Sequence, residues 1–145
     1  MHVTRVDCGA DHTAAIVTQR GDTGGGGGGE LYTWGRGGSG RLGHGDELDV
    51  EVPKRVAAGV KPDHWSAAGQ IPMPEGAKVC AVSCGFNHTV IGLAASGGGG
   101  GDDVGAGVDQ LCAVGYGIYG QLGYGYRDNL ENSVLLTLPL GNPPS

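Results

Sequence analysis

Short apolar runs separated by glycine-marked turns recur along the chain. Val79 to Cys84 is one, followed by His88 to Ala94, where Val90 and Ile91 carry β propensity. Gln110 to Val114 and Val134 to Leu138 follow. An earlier set runs Val3 to Cys8, His12 to Thr18, Glu30 to Trp34 and Val50 to Val56. Gly-Ala-Asp and Gly-Phe-Asn break the runs, as do two polyglycine segments. No window sustains a helical period with caps. The pattern predicts two successive groups of four short strands and an all-β fold.

The two groups are one unit used twice. Cys8, Gly9, His12 and Thr13 reappear 76 residues on as Cys84, Gly85, His88 and Thr89. Leu31 to Gly45 holds Trp34, Gly35, Gly40, Leu42, Gly43 and Gly45. It returns 80 residues on as Leu111 to Gly125, with Gly115, Gly120, Gln121, Leu122, Gly123 and Gly125. The extra four residues fall in the Gly-rich stretch between the motifs. Four strands per tandem repeat is the signature of propeller blades. We divide the chain into a first repeat (1–56), an irregular insert with three prolines (57–77), a second repeat (78–140) and a tail (141–145). The insert reads as a surface excursion. The polyglycine tracts 24–29 and 97–101 read as mobile hairpin tips between second and third strands.

Composition sharpens this picture. The 145 residues include 32 Gly and 7 Pro, and only 1 Phe, 2 Trp and 5 Tyr. Glycine at this level without a three-residue period excludes collagen and points to many tight turns. The core then falls to Val, Leu, Ile and Ala. A net charge of −6 without a basic run makes a poor match for nucleic acid or an anionic membrane. Cys8, Cys80, Cys84 and Cys112 have no zinc-like spacing and read as small buried residues in strands. With no signal architecture and no long apolar run, we expect an intracellular setting, cytoplasmic or nuclear. Asn87-His88-Thr89 then matches the glycosylation sequon by letters only.

Several motifs look like chemistry. Gly35 to Gly40 and Gly115 to Gly120 both spell GxGxxG. Both continue Leu-Gly-x-Gly, which suits no dinucleotide-binding helix. Arg41-Leu42 replaces the Lys-Ser/Thr of a P-loop. His12 and His88 read as turn-side histidines whose rings tie strand backbone, and His44 and His64 lack partners at ligand spacing. No Ser/His/Asp order, carboxylate pair or activated cysteine stands out, so we expect no enzyme, metal or cofactor. Two features suit a protein partner. Asp46, Glu47 and Asp49 form an acidic loop for a basic surface, and Trp65 in the insert suits an anchor.

The repeated residues resemble the regulator of chromosome condensation repeat family, whose pattern is Cys-Gly-x-x-His-Thr, then Trp-Gly, then Gly-Gln-Leu-Gly-x-Gly. Arg41 departs from the preferred Gln, Val114 from Trp, and Pro53 has no equivalent at Ser133. The resemblance implies a seven-bladed propeller, of which this chain supplies about two blades. Two blades leave two apolar faces uncovered. We therefore expect further blades, another chain or self-association to cap them. The resemblance implies a non-catalytic interaction module. It also raises guanine-nucleotide exchange on a Ran-type small GTPase, and a propeller appended to a ubiquitin ligase. It is weak toward the plant ultraviolet-B photoreceptor, whose role needs clustered tryptophans.

Overall fold

In the computed structural model, the described residues are 1–21, 28–57, 71, 73, 75–94 and 110–123, with the backbone of 134–136. They form two four-stranded antiparallel sheets, each in simple meander order. The first contains β1 (His2–Cys8), β2 (His12–Thr18), β3 (Glu30–Gly35) and β4 (Val50–Arg55). The second contains β5 (Lys78–Cys84), β6 (His88–Ala94), β7 (Gln110–Gly115) and β8 (Val134–Leu136). All eight strands lie where the apolar runs predicted them. The strand read as ending at Val56 stops one residue earlier, at Arg55, and the last two residues of the 134–138 reading lie outside the described residues. Trp65, Gly125, the 97–101 tract and the tail lie outside the described residues.

Equivalent residues occupy equivalent places. His12 pairs with Gly35 and Thr13 with Trp34; His88 pairs with Gly115 and Thr89 with Val114. Both first strands carry a register shift, between Val3 and Arg5 and between Val79 and Ala81. The residue inside each shift bonds its partner strand. Thr4 donates to the Ile16 carbonyl, and the Cys80 thiol to that of Gly92. A bulge of this kind bends and twists a strand at a chosen point, here the same point twice. Pro53 sits in β4, an edge strand, where its missing N–H costs no ladder bond.

The strand ends are turned by glycine. Gly35 and Gly115 have φ of 103° and 113°, and a Cβ on either would strike the carbonyl oxygen of Asp11 or Asn87. Only glycine fits such a backbone at low cost. Beyond them each copy makes two successive tight turns, Gly40 N–H to Gly37 O then Gly43 N–H to Gly40 O, and Gly120 N–H to Gly117 O then Gly123 N–H to Gly120 O. Gly38–Gly40 is one 3-10 turn with Ser39 at φ 61°, so no α-helix begins there.

One apolar cluster joins both sheets. Ala14, Ile16, Leu31 and Val56 of the first meet Val79, Ile91, Leu93, Cys112 and Val114 of the second. Ile71 and Met73 belong to it as well. This corrects the reading of 57–77 as a surface excursion. The end of the insert is core, because Ile71 N–H bonds Gly43 O and places two apolar side chains under the turn. The polyglycine tract is corrected likewise at its end. Gly29 exchanges two 2.9 Å backbone bonds with Val79 of the next sheet. A Cβ there would meet the Val17 oxygen at 2.4 Å, so the close approach requires glycine.

Candidate functional site

The repeated polar residues converge on the seam between the sheets. The Thr89 hydroxyl donates to the Arg41 carbonyl at 2.9 Å. Its one proton is thereby used, so the 2.8 Å contact with His12 Nε2 has the imidazole N–H as donor. His12 is thus a neutral Nε2–H tautomer, with Nδ1 buried and without a hydrogen-bond partner among the described residues. This modifies the expectation that the ring ties strand backbone. The ring crosses to the next sheet because side-chain-free Gly9 lies against its other edge. Burial holds His12 below its ordinary pKa, reinforced by the positive fields of Arg41 and His88.

Arg41 is buried. Its Nε donates to Gly38 O at 2.8 Å and its NH1 group to Asn87 Oδ1 at 2.6 Å. The departure from the family's Gln is therefore a contact across the seam. Nearby, Asp7 accepts the Cys84 backbone N–H at 2.6 Å, which is the main cause of its lowered pKa. The Cys84 thiol, pushed up to about 11 by burial and then by Asp7, is no nucleophile. Cys112 is pushed up to about 12 by burial. Cys8 contradicts the expectation of buried cysteines: it is exposed, because among the described residues no strand covers β1 as β1 covers β5.

The remaining described motif residues lie in the core, the turns and the strands. Leu42 and Leu122 fill equivalent core positions, and Gly40, Gly43, Gly45, Gly120 and Gly123 all take positive φ. Trp34 is half-buried in β3, Gln121 is half-buried, and the Gly85 backbone lies against the His88 ring. The acidic loop is partly spent on its own backbone. Asp49 accepts from Gly37 N–H, Glu47 from Ser39 N–H and Asp46 from Leu48 N–H. Glu47 and Asp49 nonetheless stay exposed.

Two residues that the sequence reading passed over stand out. Phe86 and Tyr119 are 75% and 78% exposed. Both lie at the same end of the second sheet, since Tyr116 N–H bonds Asn87 O and the Tyr116 and Tyr119 rings meet edge to face at 6.3 Å. The first sheet has Ala10, Arg36 and Ser39 at the equivalent places. That difference between copies was the available signal. No group of three or more potential metal ligands occurs among the described residues, and none of their helices is long and apolar enough to cross a membrane.

Two tandem four-stranded meanders, packed face to face through a shared core, are blades of a β-propeller. Residues 28–91 match the regulator of chromosome condensation (RCC1) repeat, and the chain is similar to proteins that carry it. It is 35% identical over 135 residues to the E3 ubiquitin-protein ligase HERC2 of Homo sapiens, covering 93% of this chain and 2% of the ligase. It is 34% identical over 125 residues to the Ultraviolet-B receptor UVR8 of Arabidopsis thaliana, covering 86% of this chain and 20% of the receptor. The chain therefore spans a small part of these relatives. Among solved structures, human WBSCR16 matches in fold with a TM-score of 0.59 at 19% identity, over 94% of this chain and 26% of that one.

Proposed function

We propose that this chain is a non-catalytic protein-interaction module, in which the seam residues hold the blades and the end loops meet a partner. The observation that carries this reading is the exposed pair Phe86 and Tyr119. Two large aromatic side chains left mostly in solvent at one end of a blade are available to a partner, and aromatic residues dominate binding energy at protein interfaces. Glu47, Asp49 and, in the insert, Trp65 complete the proposed contact set. Capture of binding proteins from an extract of the source cells tests it. The parent chain retains a partner that the Phe86→Ser/Tyr119→Ser variant loses. An unchanged set of captured proteins contradicts the reading.

The similarity to a ubiquitin ligase favours a second, finer reading, in which these blades serve as the substrate-recruiting appendage of such an enzyme. A natural transcript that continues into a ligase domain supports it, and one that does not removes it. Exchange on a Ran-type GTPase is the remaining alternative. The test is release of a fluorescent nucleotide from the loaded GTPase, where a rate no faster than in buffer excludes it. Further blades or another chain would cap the two open faces.

A further inference from the structure

Leu48 is 69% exposed, yet its backbone is held at both peptide groups. Its N–H donates to Asp46 Oδ1 at 3.1 Å, and its carbonyl lies where a Cβ on Gly37 would stand. The flanking residues are pinned to the same turn, Glu47 by the Ser39 N–H and Asp49 by the Gly37 N–H. Three carboxylates thus fix an apolar side chain in solvent, which lowers the ordering cost for whatever binds it. Phe86, 75% exposed, belongs to the adjoining loop of the second blade. The two loops are tied together. Arg41 donates from Nε to Gly38 O in the first and from its NH1 group to Asn87 Oδ1 in the second, and the Ala10 N–H of the first blade donates to the Phe86 carbonyl. Both loops stand over the seam, where each blade already has its neighbour. No described residue covers Leu48 or Phe86.

Charge sorts along the blades in the same direction. Asp11, Asp46, Glu47 and Asp49 lie at this end, and the guanidinium groups beside them are engaged, Arg36 with Asp11 at 3.6 Å and Arg41 buried in the seam. Arg20, Lys54, Arg55 and Lys78 lie toward the opposite end of the strands. We propose that Leu48 and Phe86, rimmed by Glu47 and Asp49, form one composite site for an apolar segment of a protein partner flanked by lysine or arginine. This rests on the interaction-module reading and names the chemistry of its partner. An apolar side chain of the segment contacts Leu48 and Phe86, and its basic neighbours meet the second oxygens of Glu47 and Asp49. One anchor comes from each blade, so the site exists only where the two are packed. The same carboxylates repel nucleic acid and anionic lipid.

Selection of a random peptide library on the intact chain tests this. The expected winners carry Lys or Arg on both sides of a Leu, Phe or similar apolar residue. Leu48→Ser lowers their affinity at least about tenfold, and Phe86→Ser does the same from the other blade. Both variants keep the parent's melting temperature, because both side chains are in solvent, so the loss is one of binding. Glu47→Gln with Asp49→Asn keeps an acceptor for each backbone N–H and removes the charge. It weakens binding at low salt and flattens the salt dependence. A library that enriches nothing, or that enriches acidic or uncharged peptides, overturns the proposal. So do basic winners that neither Leu48→Ser nor the paired charge variant affects, since these bind elsewhere on an acidic chain. The module reading is judged apart from this. A partner held by the parent and lost by Phe86→Ser/Tyr119→Ser upholds that reading even where the selected peptides are acidic and this proposal falls.

Discussion

Strands β1 and β5 are the same strand met twice, with different neighbours. They share the bulge, the terminal cysteine and the valines, yet Val79 is fully buried and Val3 is two-thirds exposed. Nothing intrinsic to either segment accounts for this. Burial of a propeller strand is supplied by the blade before it, so the stability of a repeat is as much a neighbour term as a local one.

The sharpest way to break that comparison is a charge at each valine. Val79→Asp buries an unpaired carboxylate and costs more than about 4 kcal/mol. Val3→Asp, in solvent, stays within about 0.5 kcal/mol. Urea unfolding at the lowest practical protein concentration, where chains do not associate, reads both. Equal effects would mean the two strands share one environment.

Next come the seam threonines. Thr89→Val strands both the His12 N–H and the Arg41 carbonyl, a loss of about 2–4 kcal/mol. Thr13→Val removes only a long contact to the Cys8 sulfur and is nearly silent. Thermal melts of the two variants side by side give the difference.

Acid sharpens the comparison further. Burial lowers the pKa of His12, His44 and His88 from 6.5. The unfolded chain therefore binds more protons than the folded one below that value. The stability contribution is complete above pH 6.5 and is lost as pH falls through the lower folded values. For His12, an added proton would sit on Nδ1 without an acceptor, opposed by Arg41 and His88 and helped only by Asp11 and Asp7. The melting temperature is expected to drop from about pH 7.5 to about pH 5. A flat profile would place these rings in water. The smallest effect is Asn87→Asp, which gives the second blade the residue of the first. An ion pair with Arg41 then replaces the amide contact, a gain of about 1 kcal/mol in a urea titration.

The strand plan was legible because repetition doubled every signal. Apolar runs, glycine turns and the Cys-Gly-x-x-His-Thr block all occur twice at matching spacing. The seam was not legible, since which blade a side chain faces depends on packing between distant residues. His12 pairs with Thr89 and Arg41 with Asn87, and no local pattern announces either. Ile71 and Met73 were hidden among prolines, where no strand period flags apolar residues as core. Phe86 and Tyr119 needed the opposite habit, reading where the two copies differ.

The central claim is that the first repeat packs on the second through named polar contacts. A double-mutant cycle on His12→Phe and Thr89→Val tests it most directly. Contact across the seam predicts a coupling of at least about 1 kcal/mol. Additivity within about 0.3 kcal/mol would contradict it, because residues in separate, non-touching sheets do not couple.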